Sequence, residues 1–312
     1  MFPRRILLGS LPACSLLACS LWPGPAAASA PAPGPDPGSA AAQASHRLCI
    51  VSAENVYGDV ARQIEGPGAC VDSILNNPDE DPHLFEASPS VARALARAQV
   101  VVVNGADYDP WMDRLLAATR ADGRREIVVA HLVGVRPGDN PHLWYDPQTM
   151  RAYAAALTAT LVSLDPQRAP AFSAGEQRFL ASLAPVERAV ARLRGRYAGT
   201  AVSASEPVFG LMAGRLGLVM RDERLQRAVM NDVEPRPSDM ARLEDELRRR
   251  QVAIFFYNSQ ASDDSARRLL AIARASGVPV VGVTEAEPPG QDYAGWMLAT
   301  LAAVSHALAS RS

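Results

Sequence analysis

Short apolar strands alternate with amphipathic helices on both sides of one long stretch that has no strand pattern. Strands are predicted at 48–53, 70–75, 100–103 and 127–130 before that stretch, and at 201–204, 252–257 and 278–283 after it. The helices between them are predicted at 56–64, 89–98, 111–119, 207–216, 238–250, 263–276 and 293–310. Buried strands joined through helices are typical of parallel sheets. The sequence therefore predicts an α/β fold with parallel sheets flanked by helices.

The strand-free stretch covers residues 146–197. Apolar side chains recur at helical spacing in its second part, at Phe172, Phe179, Leu183, Val186, Val190, Leu193 and Tyr197. A helix over 168–197 would be about 45 Å long, enough to connect two lobes. Pro185 lies inside it and is expected to kink it or to split it in two. The alternative is an ordinary surface helix of a single domain.

These patterns predict a division of the 312-residue chain into five segments. Residues 1–30 are a signal peptide, 31–45 a disordered linker, 46–146 an N-terminal α/β lobe, 147–198 connecting helices, and 199–312 a C-terminal α/β lobe. The linker assignment rests on its Pro, Ala, Gly and Ser content, which offers no side chains for a core.

The N-terminal residues are typical of an export signal. Arg4 and Arg5 precede a largely apolar run, and Ala28-Ser29-Ala30 fits the small-x-small cleavage rule. A second interpretation is that Leu16-Leu17-Ala18-Cys19 is a lipoprotein cleavage site, which would leave Cys19 lipidated. Both predict an exported protein, either periplasmic or lipid-anchored to the outer face of a membrane.

Two cysteines, Cys49 and Cys70, follow the signal, and both lie in predicted strands that could be neighbours. An even number of cysteines in an oxidising compartment predicts a disulfide, with two buried free thiols as the alternative. The formal net charge of −2 argues against a nucleic-acid partner. All 31 basic residues are arginine, which excludes enzymes that need a phosphate-loop or Schiff-base lysine.

One pattern occurs twice, as Asp81-Pro82-His83-Leu84-Phe85 and as Asn140-Pro141-His142-Leu143-Trp144. The proline restricts the backbone, and the Leu-aromatic pair is expected to anchor each loop in the core. Each imidazole is then held on a stiff loop, which suits a metal ligand. Both loops follow strand–helix units of the first lobe and are predicted to face one cleft.

Carboxylates are expected to complete such a site. Glu206 follows the strand at 201–204, and Glu285 follows the strand at 278–283. Ligands of open α/β sheets collect beyond the carboxyl ends of strands. Glu206 has an alternative role at a helix N-terminus, and Glu287 competes with Glu285.

With these motifs the chain resembles the metal-binding receptors of ABC importers for zinc, manganese or iron. The resemblance covers about residues 47–310 and rests on DPHLFEASPSVARAL, VVVNGADYDPWMDRLL, NPHLWYDP and EPRPSD. It implies two α/β lobes joined by a long helix, with a metal site in the cleft between them. The implied ligands are His83, His142, Glu206 and Glu285, although the family has Asp at the fourth position and many zinc receptors carry a His-rich loop that this sequence lacks.

Two imidazoles and two carboxylates favour Mn²⁺ or Fe²⁺, with Zn²⁺ as the alternative because it binds such sites at least as tightly. Asn104 and Asp146 are predicted to hydrogen-bond the ligand groups from outside. The implied partner is a membrane permease, and the chain is expected to be a monomer without enzymatic activity. A secreted metal-dependent hydrolase and an adhesin or metal chaperone on the same fold are the alternatives.

Overall fold

The computed structural model describes residues 47–77, 85, 88–231, 233–260 and 264–310. The first four strands, all parallel, form one sheet in the order β2-β1-β3-β4. They are β1 (Cys49–Glu54), β2 (Cys70–Leu75), β3 (Val100–Val103) and β4 (Arg125–Val128). Helices α1 (Asn55–Glu65), α2 (Pro89–Arg97), α3 (Pro110–Ala118) and α4 (Val129–Val133) follow these strands in turn. We call this sheet with its helices the N-terminal lobe.

The second sheet repeats the same topology, with parallel strands in the order β6-β5-β7-β8. Its strands are β5 (Ala201–Ala204), β6 (Val219–Met220), β7 (Phe255–Asn258) and β8 (Val280–Val283). Its helices are α7 (Gly210–Arg215), α8 (Glu223–Met230), α9 (Pro237–Arg248), α10 (Asp264–Ala275) and α11 (Tyr293–Ala309). We call this part the C-terminal lobe. In each sheet the strand order reverses between the first strand and its neighbour, that is, between β1 and β3 and between β5 and β7. Open α/β sheets bind ligands at such a point.

Two helices connect the lobes, α5 (Pro147–Leu164) and the long α6 (Ala169–Tyr197). The expected split at Pro185 is wrong, because α6 continues through it as one helix. Leu183 and Val186, on either side of the proline, are fully buried, and this packing offsets the lost backbone hydrogen bond. At Gly175, α6 approaches α1 so closely that a Cβ would lie 2.2 Å from the Ile64 carbonyl oxygen.

A single apolar core runs through both lobes and the connecting helices. It includes Tyr57 and Tyr153, then Phe179 of α6, then Phe256 and Trp296. The lobes are thus packed against a common helical support.

The α/β fold class with its connecting helices is confirmed, while local boundaries differ. Strand β6 and helix α8 were not predicted, since two strand residues and a polar helix give little pattern. The strand predicted at 127–130 ends at Val128, and Val129 begins α4. A short apolar run does not by itself distinguish a strand from a buried helix.

The predicted disulfide is present. Cys49 and Cys70 are directly paired across β1 and β2, with their Cα atoms 4.6 Å apart, and their sulfurs are bonded. In the part of the chain that the structure describes, no helix combines the length and the apolar character needed to cross a membrane.

Candidate metal site

His142 lies on the loop that connects α4 to α5, and only 1% of its surface is exposed. The next three residues, Leu143, Trp144 and Tyr145, form a fully buried helical turn. The predicted anchor of the loop is therefore correct at this position. The imidazole also meets the rings of Tyr108 and Trp144 edge to face, at centroid distances of 5.9 and 5.6 Å.

Hydrogen bonds fix which nitrogen of His142 carries the proton. The Asn140 side chain donates through Nδ2 to the Pro207 carbonyl, at 2.7 Å, so its Oδ1 faces His142 as an acceptor. That oxygen accepts from the His142 backbone N–H at 3.0 Å and lies 2.8 Å from Nδ1 of the ring. Nδ1 must therefore donate, and the neutral ring carries its lone pair on Nε2. Nε2 is buried and makes no hydrogen bond among the described residues.

The two candidate carboxylates of the C-terminal lobe share one donor. Asn258, the last residue of β7, donates from Nδ2 to Glu285 Oε1 at 2.6 Å and to Glu206 Oε2 at 3.2 Å. Glu206 and Glu285 are 7% and 2% exposed. Adjacent strands β5, β7 and β8 thus deliver three side chains to one point beyond their carboxyl ends. Asn258 was not predicted, since a polar residue at the end of an apolar strand is a weak signal.

Glu285 also connects the two lobes. Its Oε2 lies 3.5 Å from His142 Nε2 and accepts a hydrogen bond from the Tyr108 hydroxyl at 2.8 Å. Burial, together with the nearby Glu285 carboxylate, raises the pKa of Tyr108 well above its usual value. The phenol therefore stays protonated and donates. An imidazole lone pair thus lies beside one buried carboxylate, which is linked through Asn258 to a second, and these are donor types suited to a divalent cation.

Glu287, the competing candidate, lies elsewhere. Its carboxyl lines a cleft of about 460 Å³ with Asp59, Arg62 and Asp72, on the α1 side of the molecule. Burial and the nearby Asp59 raise the pKa of Glu287 to about 9. The structure thus brings Glu285, rather than Glu287, to His142.

Asn104 and Asp146 both act on the loop that carries His142. Asn104, at the end of β3, donates from Nδ2 to the Pro141 carbonyl at 2.9 Å and accepts from the Tyr57 hydroxyl at 2.6 Å. Asp146 accepts from the Gln148 backbone N–H at the start of α5 and pairs with Arg215, at 2.7 Å. These bonds go to the backbone, to Tyr57 of α1 and to Arg215 of α7, and none of them reaches the imidazole.

A second pair of buried carboxyls, Glu54 and Asp109, was not predicted. Glu54 ends β1, and Asp109 accepts backbone N–H groups of Asn104 and Gly105 at 2.7 and 2.8 Å. Burial raises the pKa of Asp109 to about 6, and burial with the Asp109 charge raises that of Glu54 well above its usual range. Burial and mutual repulsion thus favour the neutral form of Glu54.

His83 lies outside the described residues, as do residues 78–84 as a whole. Among the residues that are described, no three His, Cys, Asp or Glu side chains are grouped so that they could hold a metal ion. The amide of Asn258 lies between the two carboxylates, and within the described ranges His142 is the histidine that lies beside Glu285. What the structure presents is a partial ligand set with one imidazole.

Comparison with known proteins gives the same picture of the fold. The periplasmic zinc-binding protein TroA from Treponema pallidum superposes with a TM-score of 0.71 over 84% of this chain and 99% of its own, at 18% identity. Manganese-binding lipoprotein MntA of Halalkalibacterium halodurans is 30% identical over 143 residues, 45% of this chain and 47% of MntA. A putative metal-binding protein of Thermotoga maritima is 27% identical over 172 residues, 54% of this chain and 61% of that relative. The matched segments span about half the length of each of these two relatives.

A family profile covers nearly all of the described structure. It matches residues 50–307, which contain both sheets, the connecting helices, the repeated His loops and the carboxylates after β5 and β8. On this match the chain belongs to the ZnuA family, described as zinc-uptake complex component A, periplasmic.

Proposed function

We propose that this protein is the extracytoplasmic substrate-binding protein of an ABC importer, and that it captures a divalent transition metal and delivers it to a membrane permease. The observation that carries the proposal is the buried lone pair of His142 Nε2, which lies 3.5 Å from Glu285 at the junction of the two lobes. Membership of the ZnuA family supports it.

Four side chains would hold the metal: His142 from the loop after α4, Glu206 after β5, Glu285 after β8, and His83 from the first of the two repeated loops. In the structure Glu206 and Glu285 are satisfied by Asn258 and Tyr108. Because these donors are neutral, both can remain as hydrogen-bonding neighbours of ligating carboxylates.

Four protein ligands leave little room for a reactive water, which a metal-dependent hydrolase needs. The proposed role is therefore binding and release rather than catalysis. Two imidazoles and two carboxylates favour Mn²⁺ or Fe²⁺ over Zn²⁺ in geometry, although Zn²⁺ would bind at least as tightly. One relative is named for manganese and one solved structure for zinc, so the fold accommodates both in other proteins.

The proposed protein is exported and acts as a monomer. The division into a signal at 1–30, a linker at 31–45, lobes at 46–146 and 199–312, and connecting helices at 147–198 belongs to this proposal. The alternative within this proposal is that Cys19 is lipidated, so that the protein is anchored to a membrane instead of diffusing freely in the periplasm. The Cys49–Cys70 disulfide fits an oxidising compartment.

The proposal is tested by measuring the metal content of the purified chain after loading with Mn²⁺, Fe²⁺ or Zn²⁺ and gel filtration. Wild type is expected to retain one ion per chain, and His83→Ala and Glu206→Ala are expected to lose it. Full metal content in both variants contradicts the ligand assignment. For transport, the metal-loaded chain should stimulate ATP hydrolysis by its reconstituted permease more than the metal-free chain does.

A further inference from the structure

The loop that carries Glu285 is held by both lobes. Three consecutive backbone N–H groups, those of Glu285, Ala286 and Glu287, donate to side-chain amide oxygens. Gln260 of the C-terminal lobe accepts the first two through one oxygen. The third goes to Oδ1 of Asn55, at 2.9 Å. The loop therefore begins as part of one lobe and ends bonded to the other.

Asn55 binds Glu287 in both directions. Besides accepting the N–H, its Nδ2 donates to the Glu287 carbonyl at 2.8 Å. A side-chain amide that both accepts from and donates to one residue reproduces the pairing of neighbouring strands, and it fixes that residue in position and orientation. The carboxyl of Glu287 is not part of this contact, so the pairing depends on the backbone alone.

The position of Asn55 is itself rigid. It is the first residue of α1, directly after the central strand β1. Helix α1 packs against α6 at Gly175, where no side chain larger than glycine fits. Asn55 is thus fixed to the sheet of the N-terminal lobe and to the connecting helix.

The N-terminal half also contacts the Glu285 carboxylate itself, through the Tyr108 hydroxyl at 2.8 Å, and it contacts the backbone on either side of residues 285–287. The Tyr145 hydroxyl donates to the Thr284 carbonyl at 2.8 Å, and Asp59 accepts the Tyr293 backbone N–H at 3.0 Å. Between them, Asn55 holds the residue two positions after Glu285. Loss of this contact would leave the Glu285 loop without its backbone bond to α1, with Tyr108 still bonded to the carboxylate and Tyr145 to Thr284.

We propose that Asn55 is a positioning residue that holds the Glu285 loop against the N-terminal lobe, so that metal binding by Glu285 depends on the contact between the lobes. The inference rests on the proposed function, because it takes Glu285 as a ligand. It adds that a residue outside the ligand set controls how long the metal stays bound.

The test compares Asn55→Ala with Gln63→Ala, a control on the same helix that loses a hydrogen bond to Asp59 and none to residues 284–287. Release of Mn²⁺ to a chromogenic chelator is measured by stopped flow. Two lost hydrogen bonds predict release about tenfold faster for Asn55→Ala. Gln63→Ala should remain within about twofold of wild type.

The same substitution is then made in Glu285→Gln. If Asn55 acts through Glu285, its effect in this background falls to less than about twofold, because residues that act as a unit are not additive. Hydrogen exchange of the metal-free chain provides an independent reading: exchange in 284–287 should become faster in Asn55→Ala and stay unchanged in Gln63→Ala.

The outcomes distinguish the inference about Asn55 from the proposed function. Wild-type release kinetics in Asn55→Ala, or a tenfold effect that persists in Glu285→Gln, overturns the inference and leaves the proposed function intact. Failure of the wild type to bind one metal ion overturns the proposed function, and the inference with it. Faster release together with faster local exchange supports both.

Discussion

The two lobes hold the side chains that we propose as metal ligands in different ways. On the N-terminal side, His142 is fixed by a residue of its own loop, Asn140, and by two aromatic rings. On the C-terminal side, Glu206 and Glu285 come from different strands and share the amide of Asn258. The hydrogen-bond partner of His142 thus comes from its own loop, whereas the partner shared by the carboxylates comes from another strand.

This difference assigns a role to each side. The imidazole presents a lone pair whose direction is set before any metal arrives, which lowers the ordering cost of binding. The carboxylates instead carry hydrogen bonds that must adjust when a cation approaches. We therefore expect the histidine side to determine affinity, and the carboxylate side to determine how the metal-free protein stays stable with two buried negative groups.

The largest expected effect comes from removing the fixed lone pair. His142→Ala should lower Mn²⁺ affinity by about 100-fold or more, since a buried ligand is replaced by a methyl group. Competition with a chromogenic chelator measures it. The control is His131→Ala, because His131 lies exposed on α4 of the same lobe. Equal losses of Mn²⁺ affinity in the two variants would contradict the role of His142 as a ligand.

The next effect isolates the orientation of the ring. Asn140→Ala removes the acceptor that keeps the Nδ1 proton in place. Removing the hydrogen-bond partner of a metal-ligating histidine typically costs about 10–100-fold in metal affinity. Asn140→Asp retains an acceptor for Nδ1 and should stay closer to wild type. The same competition assay compares the two variants. If Asn140→Ala binds Mn²⁺ as tightly as Asn140→Asp, Asn140 does not orient the His142 ring.

The carboxylate side is tested by Asn258→Ala. Without the shared donor, the metal-free chain should lose about 1–3 kcal/mol in the free energy of unfolding, because buried acceptors are left unpaired. The metal-bound chain should lose less, since the cation compensates the two carboxylates. Urea unfolding with and without Mn²⁺ measures both values. An equal loss in the free energy of unfolding of the metal-free and the metal-bound chain would contradict the proposed difference between the lobes.

A smaller effect concerns Glu54, a buried carboxyl at the end of β1 in the N-terminal lobe. Its pKa is raised by burial and by Asp109, so the folded state holds more protons than the unfolded state above pH 4.5 and stability falls as the pH rises. Glu54→Gln should therefore raise the free energy of unfolding at pH 7–8, with the gain vanishing towards pH 4.5. The metal-free chain is unfolded in urea across this range, with the exposed Glu234→Gln as control. A gain independent of pH would contradict the assignment.

The parts that could be predicted are those encoded in local patterns. The strand–helix alternation and the long helix follow from the spacing of apolar residues, and the disulfide follows from two cysteines in an exported chain; the structure contains each of them. The stiff anchor of His142 was also visible, because proline and the Leu-aromatic pair adjoin it in the sequence.

The contacts between distant residues could not be predicted in the same way. Asn258 lies 52 residues from Glu206, and Asn55 lies 232 residues from Glu287. Nothing in their local sequence indicates a partner, since an asparagine at a strand end or a helix start is common. The choice between Glu285 and Glu287 likewise depended on which side of the loop faces His142.

The account's central claim is that the two lobes bind one metal ion together, with His142 as one of two imidazole ligands. X-ray absorption spectroscopy of the Mn²⁺-loaded chain measures this directly, because imidazole rings give a distinct multiple-scattering signal. The account predicts two imidazoles with oxygen donors in wild type, and one imidazole in any metal that His142→Ala retains. A spectrum in which His142→Ala keeps the wild-type number of imidazoles would contradict it.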